Sequence, residues 1–390
     1  MHYRFIYRIS DIAADTWNAI AGDNYPFLRH EFLGALEASK SACATRGWQP
    51  QHLLIEQDKR LIAVLPLYIK QHSMGEYVFD QDWADAYQRH GLNYYPKLVS
   101  AIPFTPACGP RLAFIDCDQA MLRQTLAQAL QQKCTEIGAS SWHVLFPEES
   151  SLPLWQQAGS HTRMGCQYHW FNQNYQSFDD YLATFASRKR KDLKRERRKV
   201  MEQGVRLERL TGDAITPEHW QRFYQFYQLT NLKYNGHGGY LTADFFVHLH
   251  DKMRNSLLLV MAYDVDNIAI AGALNIFSAD TLYGRYWGSI AEVEFLHFEA
   301  CYYQGIEFCI EQGLKRFDPG AQGEHKIARG FRPIFTYSQH WIAHAGFRQA
   351  IQNFLHQENA LVKRYQQQAC AALPFKTASF KTASFKTVPD

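Results

Sequence analysis

The chain has 390 residues, a formal net charge of +3, and 46% hydrophobic and 20% charged residues. These proportions are typical of a globular protein and exclude a polyelectrolyte, and the length suits two domains. No run of about 18 apolar residues occurs, which excludes a membrane-spanning helix. The eight cysteines form no CxxC pair and no secretory signal is recognisable, so we expect reduced thiols and a cytoplasmic protein.

The first half of the chain alternates strands and helices. Apolar patterns of period 2 predict strands, patterns of period 3.6 predict helices, and Gly138 marks a helix end. The predicted elements are a strand at 2–8, helices at 13–21 and 30–39, a hairpin of strands at 52–56 and 61–68, a long helix at 119–138, a strand at 141–146 and a short helix at 152–159.

The second half repeats this order. The predicted elements are a helix at 178–204, a strand at 205–210, helices at 217–232 and 242–253, a hairpin of strands at 256–264 and 268–278, a strand at 281–288, a helix at 295–313, a strand at 315–318 and a final helix at 349–372. Each half therefore follows the order β-α-α-β-β-(β)-α-β, which is that of a GNAT-type acyltransferase domain. Because the two halves share no visible sequence repeat, the duplication rests on element order alone.

The element order also predicts the domain boundaries. We expect an N-terminal GNAT-like domain at 1–172 and a C-terminal GNAT-like domain at 173–374. The last residues, 375–390, repeat the pentapeptide FKTAS. Since this tail carries little apolar mass, we expect it to be disordered.

The segment 318–333 has the most informative composition in the chain. It combines three glycines, an amide, two carboxylates, an imidazole and three cations at the end of a predicted strand. Glycine lets the backbone approach a ligand closely, so we predict the floor of an active site, with a Gly-rich turn and solvated charges as the alternative. The candidate catalytic residues are Glu324, His325 and Lys326, and the candidate substrate-binding residues are Gly320, Gln322, Gly323 and Arg329.

The segment 187–199 is strongly basic, with nine Lys or Arg among thirteen residues. Like charges four residues apart destabilise a helix by roughly a few tenths of a kcal/mol per pair. A polyanionic ligand would offset that cost: a tRNA backbone, a CoA phosphate or a diphosphate-linked lipid carrier. The alternative is a solvated helix face with Asp192 and Glu196 as partners. The candidate polyanion-binding residues are Arg188, Arg190, Lys191 and Lys194.

The segment 85–111 contains four prolines, paired tyrosines and several cations. Proline makes a connection rigid at low entropic cost. A rigid aromatic loop with cations suits a pocket wall, and a structural crossover is the alternative. The candidate substrate-binding residues are Arg89, His90, Tyr94, Tyr95, Lys97 and Arg111.

The strand predicted at 281–288 and the helix after it carry further polar candidates. Strand alternation places Arg285 and Tyr286 on opposite faces. Acidic residues at a helix start stabilise the helix dipole, and the alternative is that Glu294, His297 or Glu299 faces an acceptor amine. We therefore add His297 and Glu299 as catalytic candidates, and Arg285, Tyr286 and Tyr234 as binding candidates. No metal site is predicted, because the zinc motif HExxH is absent. The serine-nucleophile motif GxSxG and the phosphate-binding P-loop are absent as well.

With these motifs in view, the chain resembles the FemAB-like family of predicted N-acyltransferases, which are tandem GNAT proteins related to peptidoglycan biosynthesis. The resemblance extends from about Tyr3 to Pro374. Its most specific parts lie at 94–97, 103–106, 109–111, 187–191, 284–288, 296–299 and 320–331.

The resemblance implies an α/β (α+β) fold of two tandem GNAT-like domains with mixed central sheets flanked by helices. It implies transfer of an acyl group from acyl-CoA or aminoacyl-tRNA, used as a co-substrate, to an amine on a small molecule or a peptidoglycan precursor. We expect no tightly bound cofactor, and tRNA is a partner if it is the donor. The glycine loop of acetyl-CoA enzymes and the coiled-coil arm of Fem ligases are both absent, so both donors stay open.

In the preferred hypothesis an amine attacks an ester or thioester carbonyl, with Glu324 or His325 as the base. Lys326 and Arg329 bind phosphate, and Gly320 and Gly323 let backbone N–H groups approach. The second hypothesis is a non-catalytic protein that binds polyanions or nucleic acid on a GNAT scaffold. The third is a scaffold whose aromatic surface binds a partner protein. The oligomeric state is not predicted.

Overall fold

The structure is a computed structural model that describes residues 1–321 and 323–376. Its strands are β1 (His2–Ile6), β2 (Gln49–Pro50), β3 (His52–Gln57), β4 (Arg60–Leu65), β5 (Tyr68–Lys70), β6 (Lys97–Ser100), β7 (Ala113–Phe114), β8 (Ser141–Leu145), β9 (His161–Phe171), β10 (Arg206–Thr211), β11 (Leu257–Tyr263), β12 (Ala269–Phe277), β13 (Thr281–Ser289), β14 (Arg316–Asp318) and β15 (Arg332–Ile342).

The helices alternate with these strands. They are α1 (Ala14–Ala21), α2 (His30–Ala38), α3 (Gln81–Arg89), α4 (Gln119–Ile137), α5 (Leu152–Gln157), α6 (Phe178–Ala183), α7 (Ser187–Glu202), α8 (Pro217–Asn235), α9 (Ala243–Met253), α10 (Leu296–Phe298), α11 (Gln304–Glu311) and α12 (Ala345–Ala371). A π-helical turn, Glu299–Tyr303, joins α10 to α11. Within the described ranges, no helix is both long and apolar enough to cross a membrane.

One mixed sheet runs through both halves of the molecule. Its strand order is β10-β11-β12-β13-β14-β9-β15-β8-β6-β5-β2, and a second sheet has the order β1-β3-β4-β7. Strand β15, from near the end of the chain, lies between β9 and β8 and is antiparallel to both. The predicted boundary after residue 172 therefore directly follows β9, whose partners β14 and β15 both come from the second half. Whether the halves are separable domains stays a prediction.

The α/β fold class is confirmed, and most predicted elements are present within a few residues. The sequence patterns do not predict β9 or β15. In β15 the residues Ser338, Gln339 and His340 are buried although they are polar, so the strand has no apolar period to recognise. The predicted rigid loop at 85–111 contains the end of α3 and all of β6.

The single helix predicted at 178–204 is two helices, α6 and α7. The backbone between them pairs with a later segment: Ala186 N donates to Pro374 O, and Lys376 N donates to Thr184 O, both at 2.9 Å. At the break, hydrogen bonds within a helix are replaced by backbone hydrogen bonds to a distant segment of the chain. Phe375, the first residue of the predicted disordered tail, packs on Phe185, and the tail from residue 377 lies outside the described residues.

An aromatic core in the second half positions the site. Trp170, Tyr181, Tyr303, Phe317 and Phe331 are almost completely buried there. Each large apolar side chain buried in such a core contributes roughly 1.5–3 kcal/mol. This core fixes the π-helical turn and the segment 318–333, here called the Gly-rich block, against the ends of β13 and β14.

Candidate active site

A wedge opens where β13 and β14 part. These strands pair in parallel only from Thr281 to Tyr283 on β13. Strand β13 then continues to Ser289, while the segment that follows β14 turns away at Gly320, whose φ is +95°. Gly284 permits the close approach at the branch point, because a Cβ there would lie 3.2 Å from the Pro319 Cα.

The wedge holds a cavity of about 430 Å³. Strands β12 and β13, the π-helical region and the Gly-rich block all contribute to its wall. The lining residues are Ala273, Leu274, Asn275, Gly284, Arg285, Tyr286, Trp287, His297, Cys301, Tyr302, Pro319, Gly320, Ala321, Gly323, His325 and Lys326.

Lys326 is a buried cation at the wall of this cavity. Its side chain is 1% exposed, and its Nζ atom donates to the Gly320 carbonyl at 2.6 Å. Burial lowers the pKa of Lys326 to about 8, although the nearby Asp318 opposes that shift. No carboxylate forms an ion pair with Lys326 among the residues that the structure describes. The site therefore contains a positive charge that is only partly compensated.

His325 lies beside Lys326 and also faces the cavity. Its Nε2 atom shares a 2.8 Å hydrogen bond with the Tyr302 hydroxyl. Burial lowers the pKa of His325, and the cations Arg329 and Lys326 lower it further, so the imidazole is neutral near pH 7. Gly323 allows this ring to fold back over the backbone, because a Cβ there would lie 2.4 Å from His325 Cε1. The position therefore requires glycine.

His297 lines the cavity from the start of the helix, with its ring 6.1 Å from that of His325. Burial lowers the pKa of His297 to about 4, and the neighbouring His325 and Lys326 add to this effect. Glu299 does not face the cavity. Its carboxylate is buried and pairs with the Arg197 guanidinium at 2.8 and 3.0 Å, so the prediction that it meets the acceptor amine is wrong in position.

Glu324 and Arg329 also lie outside the cavity wall. Glu324 is exposed and accepts a 2.6 Å hydrogen bond from the Tyr365 hydroxyl on α12. Arg329 pairs with Glu196 at 2.8 Å and donates to the His325 carbonyl at 2.8 Å. Arg329 thus fixes the backbone of the block instead of facing a ligand. Of the two candidate bases, His325 lines the cavity and Glu324 does not.

The candidates from 85–111 do not line this cavity. Lys97 is completely buried and binds Ser73, Glu76 and Asp80. The remaining candidates make contacts within their own half: Tyr94 donates to Asp80, Tyr95 bonds to Ser73, Arg111 donates to backbone carbonyls and to Tyr25, His90 bonds to Ala86, and Arg89 ends α3 at the surface. These candidates therefore make contacts within the first half of the chain, and they do not form the wall of this cavity as predicted.

The other binding candidates occupy different positions. Arg285 and Tyr286 line the cavity as predicted from the strand. Tyr234 is 74% exposed and lies at the edge of a neighbouring, smaller cavity that Arg285 and Tyr286 share. Gln322 lies outside the described residues.

Helix α7 is anchored to the site through its middle turns. Arg197 pairs with Glu299 and Glu307, and Glu196, expected to pair within the helix, instead binds Arg329. Lys194 pairs with Asp179 at 2.7 Å. At the start of the helix, the cations Arg188, Lys189, Arg190 and Lys191 form no ion pair within the described part of the chain.

Sequence reasoning missed several residues of the wall. Asn275 is 2% exposed in a strand that is otherwise apolar, and a polar residue at such a position was the available signal. Tyr302, which binds His325, follows the candidates His297 and Glu299 by only a few residues. No sequence signal shows that it turns toward the cavity, because the π-helical turn changes the direction of the helix face.

A protein-family model matches the chain over nearly its whole length. The family model FemAB-like, described as peptidoglycan biosynthesis/recognition, matches residues 8–377. No curated protein sequence matches the chain.

Solved structures share the fold. The C-terminal domain of a putative lysylphosphatidylglycerol synthetase from Agrobacterium fabrum has a TM-score of 0.54 at 9% identity, covering 87% of this chain and 94% of that one. FemX has a TM-score of 0.50 at 13% identity, covering 90% of this chain and 100% of that one. L-PGS from Bacillus licheniformis has a TM-score of 0.50 at 10% identity, covering 86% of this chain and 98% of that one. At these identities the likeness shows the fold, which is the expected tandem GNAT-like fold. With a family model that spans nearly its whole length, this chain belongs to the FemAB-like family.

Proposed function

We propose that the chain is an N-acyltransferase that moves an acyl or aminoacyl group from acyl-CoA or aminoacyl-tRNA to an amine. One observation carries the proposal: the neutral imidazole of His325 and the buried ammonium of Lys326 line the same 430 Å³ cavity. A base and a cation beside each other are what attack of an amine on a carbonyl requires. Family membership supports a peptidoglycan precursor as acceptor.

In the proposed reaction the acceptor nitrogen attacks the carbonyl carbon of the donor. The N–C bond forms, and the C–O bond of an ester or the C–S bond of a thioester breaks. His325 accepts the proton of the attacking amine and passes it to the leaving oxygen or sulfur. Its lowered pKa keeps the imidazole unprotonated at neutral pH, and the Tyr302 hydroxyl holds the ring in place.

Lys326 stabilises the negative charge that develops on the carbonyl oxygen. With a pKa of about 8, the amine is mostly protonated at pH 7. A cation fixed in a site shielded from water stabilises an oxyanion more than it would in bulk solvent. Gly320, whose carbonyl holds the Nζ atom, orients Lys326 without neutralising it.

The test is transfer itself, followed by mass spectrometry. The purified protein is incubated with an aminoacyl-tRNA pool or with acetyl-CoA, and with a soluble peptidoglycan precursor that carries a free amine. A His325→Gln variant is expected to lower the transfer rate about 10²-fold or more while donor retention changes little. Glu324→Gln serves as the matched control in the same block, and we expect it to keep most of the activity. Equal loss in both variants would contradict the assignment of His325.

The second candidate function is polyanion binding without catalysis, and the start of α7 favours it. Four consecutive cations there form no ion pair with described residues, although the rest of the helix is paired. Binding driven by phosphate contacts falls steeply with salt. Replacement of Arg188, Arg190 and Lys191 by alanine should abolish retention of tRNA under this hypothesis, and His325→Gln should have no effect on any measured activity.

A further inference from the structure

A second cavity adjoins the proposed active site. It measures about 200 Å³, and Arg285, Tyr286 and Trp287 line both it and the larger cavity. We call it the aromatic chamber. Its other rings come from both halves of the chain: Tyr77 and Phe104 from the first, and Tyr227, Tyr234 and Tyr240 from the second.

The rings of the aromatic chamber are fixed mainly by contacts with one another. Tyr240 stacks on Phe104 with centroids 4.8 Å apart and planes inclined by 10°. The Tyr227 hydroxyl accepts the N–H groups of Tyr240 and Leu241 at 3.0 and 3.2 Å. Tyr227 in turn meets Tyr286 edge to face, with centroids 5.8 Å apart. The chamber is therefore preformed.

The two rings from the first half are held in strained backbone conformations. The φ angles of Tyr77 and Phe104 are +60° and +58°, which bulky residues rarely adopt. Such strain persists where the surroundings enforce it, and it concentrates at functional sites. The backbone conformation of Tyr77 is enforced by its neighbours, because Glu76 binds Lys97 Nζ at 2.8 Å and Asp80 binds the same atom.

None of the described lining residues of the aromatic chamber is acidic, and its polar groups are Thr230, two asparagine amides, the Arg285 guanidinium and the tyrosine hydroxyls. Asn235 donates to the Asn231 amide oxygen at 2.9 Å. Arg285 donates to the Phe104 carbonyl at 3.0 Å, and its Nε atom is buried without a partner among the described residues. Stacking surfaces with amides and one cation suit a flat, uncharged ring that carries hydrogen-bonding edges, which describes a nucleobase.

We propose that the aromatic chamber binds the adenine ring of the acyl donor, in the form of a terminal adenosine that carries the acyl ester on its ribose. This inference rests on the proposed function. Both candidate donors contain adenine, but they differ in the distance from base to carbonyl. In an aminoacylated adenosine only the ribose separates the two groups, whereas in acyl-CoA the pantetheine arm and a diphosphate intervene. A chamber that shares a wall with the reaction cavity fits the shorter separation.

Calorimetric titration with AMP tests adenine recognition without any transfer. We expect AMP to bind and ribose 5-phosphate, which lacks the base, not to bind. Tyr240→Ala should weaken AMP about tenfold, because loss of one stacking ring costs roughly that much, and Tyr240→Phe should bind as the wild type does. Tyr77→Ala, at a more exposed ring, repeats the test if Tyr240→Ala fails to fold. Tyr7→Ala is the control, since Tyr7 is exposed and lies away from the chamber.

Competition separates the two sources of adenine. Displacement of AMP by a cytidine-cytidine-adenosine trinucleotide, with CoA no better than AMP itself, supports a terminal adenosine. Tight displacement by CoA and none by the trinucleotide would overturn that assignment. Equal binding of AMP and ribose 5-phosphate, or AMP binding that both alanine variants leave unchanged, would overturn adenine recognition altogether.

The outcomes also separate this inference from the proposed function. Transfer that depends on His325, in a protein that does not bind AMP, would overturn the inference alone. AMP binding that depends on Tyr240, in a protein that transfers from neither donor, would support adenine recognition and contradict the proposed function.

Discussion

Two lysines, Lys97 and Lys326, are almost equally buried, at 0% and 1% exposure, yet they have opposite surroundings. Burial opposes the charge of Lys97, but Glu76 and Asp80 outweigh it and raise the pKa of Lys97. Lys326 has one carbonyl partner and a cavity in front of it, and burial lowers its pKa to about 8. A buried cation with a complete set of partners belongs to the framework, and one with an incomplete set is available to a ligand.

The largest expected effect is on folding and comes from Lys97. Lys97→Met leaves Asp80 buried without its counter-ion and leaves Glu76 with only the more distant Lys70, at 3.9 Å. This should lower the free energy of unfolding by about 3–5 kcal/mol. Lys326→Met removes a cation that pairs with no carboxylate among the described residues, so we expect a change of no more than about 1 kcal/mol. Urea unfolding of the two variants measures this difference. Similar losses in both would abolish the contrast between framework and site.

The next effect concerns transfer and comes from Lys326. Lys326→Met should lower the rate about 10²–10³-fold, because the developing oxyanion loses its cation. Lys315→Met, an exposed lysine on the same chain segment, is the control and should keep its activity. A Lys326→Met enzyme that transfers at the wild-type rate would remove Lys326 from the mechanism.

A smaller effect sharpens the placement of Glu299. Glu299→Gln weakens the paired contact with Arg197 and should destabilise the fold by about 1–3 kcal/mol, the cost of disturbing a buried charged hydrogen bond. Because the carboxylate does not face the cavity, transfer at a temperature where the variant stays folded should change by less than about threefold. Loss of transfer in a fully folded variant would return Glu299 to the reaction.

The smallest effect is a pH dependence of opposite sign for the two lysines. Below pH 8 the folded and unfolded chains both carry the Lys326 proton, and between about 8 and the unfolded value of 10.5 only the unfolded chain does. Stability should therefore rise with pH there, relative to Lys326→Met, by at most about 1.4 kcal/mol per pH unit. The contribution of Lys97, whose pKa is raised, is instead lost at high pH. Urea unfolding between pH 7.5 and 9.5 checks the sign for Lys326.

The same lysines show how far sequence reasoning reaches. Composition identifies the Gly-rich block and the strand before it, and His325, Lys326 and Arg285 do line one cavity. Composition cannot distinguish the structural role of Lys97 from the site role proposed for Lys326. The partners of Lys97 lie 17 and 21 residues away in a region without a recognisable motif. Glu299 is misplaced for the same reason, since Arg197 is 102 residues distant. Residue type is local, whereas the partners that decide its role are set by long-range packing.

The position of β15 between β8 and β9 has a consequence for biogenesis. During synthesis, β8 and β9 each keep an unpaired hydrogen-bonding edge until β15 is made, after more than 330 residues. Open edges invite pairing with other nascent chains, so the first half depends on the last strand for protection. We therefore expect the two halves to mature together, and we expect fragments from a gene split between them to fold only when both are present.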